Sequence, residues 1–211
     1  EEVFNEYAAS IGLEGENITK FREIALLSAA GGLRGHTSLY ATGKEKDLTP
    51  WWTRDHFMYG QEMIRPFLER AIAEGFVDKV LEEKKESVQM WEKIEQLSKE
   101  IEWADKENKQ YLEVSATYGR IKYEIFEKAW TVLLLGMQGE QSGSFETEKM
   151  QAAIDRYDAL WEEWQQLKSA NPQCATLYYP HAFAIGFEGV YADEANGMQA
   201  SVDKYREKIK S

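Results

Sequence analysis

All three histidines of the chain fall in segments that also carry aromatic and charged side chains. The first segment is Arg34-Gly35-His36-Thr37-Ser38-Leu39-Tyr40, with Gly31 and Gly32 just before it. The second is Trp51-Trp52-Thr53-Arg54-Asp55-His56-Phe57, and the third is Cys174-Ala175-Thr176-Leu177-Tyr178-Tyr179-Pro180-His181-Ala182-Phe183. Flat aromatic faces beside Arg, Asp and His suit a saccharide site. The apolar C–H face of a sugar ring stacks on an indole or phenol, and forked donors bind hydroxyls or a uronate carboxylate. The binding candidates are therefore Arg34, His36, Trp51, Trp52, Arg54, His56, Tyr178 and His181. They would orient a ligand through stacking and hydrogen bonds, and no residue is assigned to proton transfer. A structural reading stands beside this one. Paired Trp at a helix start also covers a neighbouring helix or domain, an Arg-Asp-His run also forms an internal ion pair and cap, and Tyr178 to His181 also reads as a plain loop.

Other chemistries fit these residues less well. His36, Asp55, His56 and His181 are ligand types for zinc or iron. However, Asp55 and His56 are neighbours that diverge on a helix, and no two histidines stand four residues apart. A relay of Ser38, His56 and Asp55 lacks a Gly-x-Ser-x-Gly turn. Gly31-Gly32-x-x-Gly35 follows a helix, whereas a phosphate cradle follows a strand and opens a helix. The single cysteine, Cys174, excludes an internal disulfide and a cysteine zinc cluster. No metal and no cofactor are expected.

The 211 residues include 37 acidic and 25 basic side chains, a formal charge of −12 that disfavours nucleic acid or an anionic membrane surface as partner. The longest apolar run, Ala129-Trp130-Thr131-Val132-Leu133-Leu134-Leu135, is about a third of a membrane span. Aromatics at 13%, seven Trp among them, are enough to fill a core. Four prolines and few Thr/Val runs lean away from an all-β design.

The elements that must position these segments read as helices. Val3, Phe4, Tyr7 and Ala8 share one face of a first helix that Gly12 and Gly15 stop. Asn17 or Thr19 can cap a second helix through Phe21, Ile24, Leu27 and Leu33, whose end Gly31, Gly32 and Gly35 should fray or bend. Thr49-Pro50 marks a third start, followed by apolar residues to Ile72, with Pro66 inside and Gly75 at the end. Residues 76–105 carry Val77, Leu81, Val88, Trp91, Ile94, Leu97 and Ile101 at helical spacing, and their Glu/Lys face reads as solvated. Residues 105–108 are either a short break or an exposed turn of one long helix. The pattern resumes over residues 109–138, and residues 139–143 read as a polar turn. Ser144 with Thr147 and Glu148 offers a capping start for a helix that Asn171-Pro172 ends. Trp103, Trp130, Trp161 and Trp164 are assigned to packing, and Glu162-Glu163 to the surface. An irregular aromatic-rich loop precedes a last helix over about 196–210. The expectation is one all-α domain spanning 1–211, an antiparallel bundle of about six to seven helices.

The opening Glu1-Glu2-Val3-Phe4-Asn5-Glu6-Tyr7, a Gly-containing gap, and Phe21-Arg22-Glu23-Ile24-Ala25-Leu26-Leu27-Ser28 resemble the stretch that follows the catalytic barrel in bacterial glycoside hydrolases similar to alpha-glucuronidases. Trp51-Trp52-x-Arg54-Asp55 and the helix from Tyr123 to Trp130 are similar as well. The resemblance implies a helical C-terminal domain that packs on a (β/α)₈ barrel and lends side chains to the rim of its active site. It places the catalytic carboxylates in the barrel, and implies a periplasmic or secreted setting. The start at Glu1-Glu2, with no initiator Met, fits a piece cut from a longer chain. The expected function is thus a non-catalytic accessory domain of a carbohydrate-active enzyme, contacting an oligosaccharide or the catalytic barrel. The alternative is a helical protein-interaction domain with no sugar role.

Overall fold

The computed structural model describes residues 2–43, 61–174 and 198–210. The described residues form seven helices: α1 (Glu2–Ser10), α2 (Glu16–His36), α3 (Gln61–Ala73), α4 (Val77–Glu100), α5 (Lys106–Ser142), α6 (Thr147–Ala170) and α7 (Met198–Lys208). No strand occurs among them, so the fold is all-α. The helix starts proposed at Thr49-Pro50 and the loop before the last helix lie outside the described residues.

Three long helices, α4, α5 and α6, run up, down and up with short joints. The Lys109 ammonium reaches the Ser98 carbonyl beside the α4–α5 joint, while Lys84 lies over the Trp130 ring farther along the pair. Helix α2 lies antiparallel on α4, with Lys20 bonded to the Glu100 carbonyl at one end and Ser87 to the Gly31 carbonyl at the other. Helix α7 contacts both α5 and α6, joined by Tyr205 to Glu140 and by Arg206 to Asp158.

Burial follows the helical period. Phe126, Trp130, Leu133, Leu134, Ile154, Leu160 and Trp164 form the larger core, against which α3 and α7 close with Phe67, Leu68, Val202 and Tyr205. A smaller core of Ala8, Leu13, Ile24, Ile94, Leu97 and Ile101 joins α1 and α2 to α4. Trp91 packs against both. Trp103 donates its indole N–H to the Ile11 carbonyl and so ties the α4–α5 joint to the α1–α2 joint.

Several local expectations change. Helix α2 does not fray at its glycines but continues to His36, because the Gly35 site faces the Tyr123 ring closely enough that a Cβ would lie 2.1 Å from it. Helix α5 runs through the expected polar turn to Ser142 and ends on Gly143, whose φ of 74° is left-handed backbone suited to glycine. Ser144 does not cap α6; it exchanges hydrogen bonds with Ser142, and Glu146 precedes the first turn without a side-chain cap.

Candidate functional site

Of the eight sequence-derived binding candidates, Arg34 and His36 are described; Trp51, Trp52, Arg54, His56, Tyr178 and His181 lie outside the described residues. Arg34 and His36 both sit in the last turn of α2 but reach different helices. The Arg34 guanidinium donates from Nε to Glu86 of α4 at 3.1 Å and from Nη1 to the Ala30 carbonyl at 3.3 Å. The His36 ring turns to α5, edge-on to Tyr123 and Phe126 with centroids 5.3 Å from each. Its Nε2 lies 3.1 Å from the Lys122 ammonium. An ammonium has no lone pair, so this contact requires Nε2 to accept and places the ring proton on Nδ1.

Beyond His36 the chain leaves the helix through extended Thr37 and makes a tight knuckle over residues 37–41. Ser38 accepts from the Tyr40 N–H with its hydroxyl and from the Ala41 N–H with its carbonyl. Helix α4 holds this knuckle from behind with charged groups. Lys84, only 1% exposed, donates to the Arg34 carbonyl at 2.5 Å and to the Thr37 carbonyl. An ammonium there satisfies helix-end carbonyls and sits at the negative end of the α2 dipole. Glu83, also buried, accepts the Leu39 N–H at 2.7 Å on Oε1. Its Oε2 takes no hydrogen bond among the described residues and faces the Lys84 ammonium at 3.5 Å. From the other side, Arg70 of α3 donates to the Tyr40 carbonyl at 2.7 Å while its guanidinium lies over the Phe76 ring.

The result is a segment whose backbone is fixed and whose side chains are displayed. Leu39 is 54% exposed and Tyr40 39%, and Leu33 on the preceding turn is exposed as well. The Glu/Lys face of α4 is therefore not simply solvated, as its sequence suggests: Glu83, Lys84, Ser87 and Ser98 are buried. A signal for this was present, since Lys84 and Ser87 fall four and seven residues after buried Val80 on the stripe that continues to Trp91.

A second charged cluster lies across α4, α5 and α6. Arg120 pairs with Glu95, Glu124 and Glu163, and Arg156 with Glu124 and Glu163. Burial alone would raise the Glu163 carboxyl, but Arg156 and Arg120 overcome it and hold the group below the ordinary carboxylate range. Glu163 is thus a strut between helices rather than an isolated surface carboxylate. A shallow cleft of about 410 Å³ at the α5–α6 turn is lined by Gln138, Ser142, Ser144 and Glu146 over Ile72 and Leu135, and brings none of the charged clusters together. Burial pushes the Cys174 thiol up, which disfavours a reactive thiolate. Among the described residues, no group of three or more His, Cys, Asp or Glu side chains is placed to hold a metal ion, and no helix is long and apolar enough to cross a membrane.

Compared with protein families, curated proteins and solved structures, the chain matches none. The class defined by the coordinates is an all-α bundle with a clamped, outward-facing knuckle at the end of α2.

Proposed function

We propose that the chain is a non-catalytic helical domain accessory to a carbohydrate-active enzyme, and that the end of α2 is part of its contact face toward saccharide or the catalytic barrel. The observation that carries the reading is the knuckle itself. Fixed backbone bearing exposed Leu39 and Tyr40, beside the half-buried Arg34 and His36, is the form of a preorganised contact surface, where little ordering entropy remains to be lost on binding. Trp51, Trp52, Arg54, His56, Tyr178 and His181 belong to the same proposal through the sequence alone, as aromatic, Arg and His side chains clustered in irregular segments and at one helix start.

Tryptophan-fluorescence titration with uronate-bearing xylo-oligosaccharides tests the saccharide role. Saturable change that Tyr40→Ala and Arg34→Ala weaken supports it, and a flat titration at about millimolar ligand, where weak sites still register, counts against it. The second reading, a protein-interaction domain with no sugar role, is favoured by the apolar character of Leu33 and Leu39. Under that reading Leu39→Ser disrupts association with a protein partner, seen by light scattering, and sugar titrations stay flat in every variant.

A further inference from the structure

We infer that Glu83 and Lys84 are positioning residues: a buried ionic clamp that sets the conformation of residues 34–40 for recognition, separable from the stability of the bundle. The observation is where their bonds go. Lys84 donates to the carbonyls of Arg34 and Thr37, Glu83 accepts from the Leu39 N–H, and Ser87, one turn on, donates to the Gly31 carbonyl at 2.7 Å. Three side chains of one helix thus bond to the main chain of a single neighbouring segment.

A helix end seldom needs such groups. Glycine in the left-handed region closes α5 here without any buried charge. Withdrawing an ammonium and a carboxylate from water is costly, and an apolar side chain of similar volume in their place is often neutral or stabilising. Lys84 packs over the Trp130 ring at 4.6 Å, a contact that the thioether of Met would also make. Packing therefore does not require the charge, whereas the knuckle does. Without the ammonium, the Arg34 and Thr37 carbonyls lose their Lys84 donor, while residue 83 can still accept from the Leu39 N–H and Arg70 still donates to the Tyr40 carbonyl. Local opening of residues 37–41 then becomes far easier than opening of the α4–α5 core.

The conformational claim stands on this geometry, and only its consequence for binding rests on the function proposed above. The test is amide hydrogen exchange on the full chain, comparing wild type with the double variant Glu83→Gln/Lys84→Met, which removes both charges so that neither is left buried without its partner. The expected result is cooperative unfolding retained, exchange within residues 37–41 faster by at least ~10-fold, and exchange in the middle of α4 and α5 unchanged. A uniform rise across all helices, no change at residues 37–41, or failure of the double variant to fold overturns the proposal. Saccharide titration of the same proteins separates the two readings. If wild type does not respond, the sugar role fails while the exchange result still decides the clamp. If wild type responds and a locally released variant responds equally, the clamp does not position the binding face.

Discussion

Trp91 and Tyr123 stack with centroids 4.9 Å apart and planes 17° from parallel, and each ring sits where a glycine leaves room. A Cβ on Gly119 would lie 2.0 Å from the Trp91 ring, and one on Gly35 2.1 Å from the Tyr123 ring. These are side chains trapped between helices, so the obstruction is not a flexible tip that can swing away. Gly119→Ala is expected to destabilise the fold by about 1–3 kcal/mol, the usual range for an overpacked core. A lower urea midpoint with an unchanged slope would show it. Shortening the obstructing ring, as Gly119→Ala/Trp91→Leu, should give less than the sum of the two single losses, because the two sites share one space. Glycines at 31, 32 and 35 carry two meanings that sequence cannot separate: weak helix formers, and places of close approach. Only the neighbour decides between them: the Tyr123 side chain for Gly32 and Gly35, and the Trp91 ring for Gly31.

The helices themselves were legible, since apolar residues at three- and four-residue steps placed five of the seven described spans to within a few positions, and the expected last helix over about 196–210 brackets α7; the entry into α3 falls where the chain is not described. Joints were less so. Residues 105–108 left open whether one long helix or two occupied 76–138, and the break proves real. Ile101 is extended, and Asp105 restarts the helix by accepting from the N–H groups of Glu107 and Asn108 at 2.9 and 3.0 Å. Lys109 then reaches back to the carbonyls of Ser98 and Lys99, so one turn of α5 closes the end of α4. Asp105→Ala is expected to cost about 1 kcal/mol, the common value of an N-cap, with Asp105→Ser recovering most of it; urea denaturation of both variants reads the difference. The candidate site was legible in part. Arg34 and His36 were picked out by residue type. Lys84 was signalled only by its place on the Val80–Trp91 stripe, and what it and Glu83 bond to could not be read, because a charge on a helix reads as solvated until the fold shows that its neighbour is a helix end. Leu39 and Tyr40 escaped for the opposite reason: nothing local says that an apolar residue after a helix will remain exposed.

Across the whole molecule, ion pairs rather than apolar contacts link the outer edges of α4, α5, α6 and α7, and this gives stability a definite dependence on acid. Burial alone would raise the Glu95 carboxyl, but Lys99, Arg120 and Thr117 together bring it below its ordinary value of 4.5. Glu163 is lowered by Arg156 and Arg120, and Glu140 by Lys208, Lys204 and Tyr205, in each case against burial. A carboxyl depressed in the folded state binds its proton less readily than the unfolded chain does. Its contribution is therefore present above the unfolded value and lost as pH falls through the folded one. The urea midpoint should hold near neutral pH and decline once the solution passes below about 4.5, the range in which the unfolded chain takes up protons first. General charge repulsion does not explain the early part of that decline, because a chain carrying −12 first loses net charge as acid is added. Glu95→Gln/Glu163→Gln should start from a lower midpoint at neutral pH and fall less steeply, so that the two curves converge in acid. Parallel curves would show that the struts between α4, α5 and α6 do not carry the acid sensitivity.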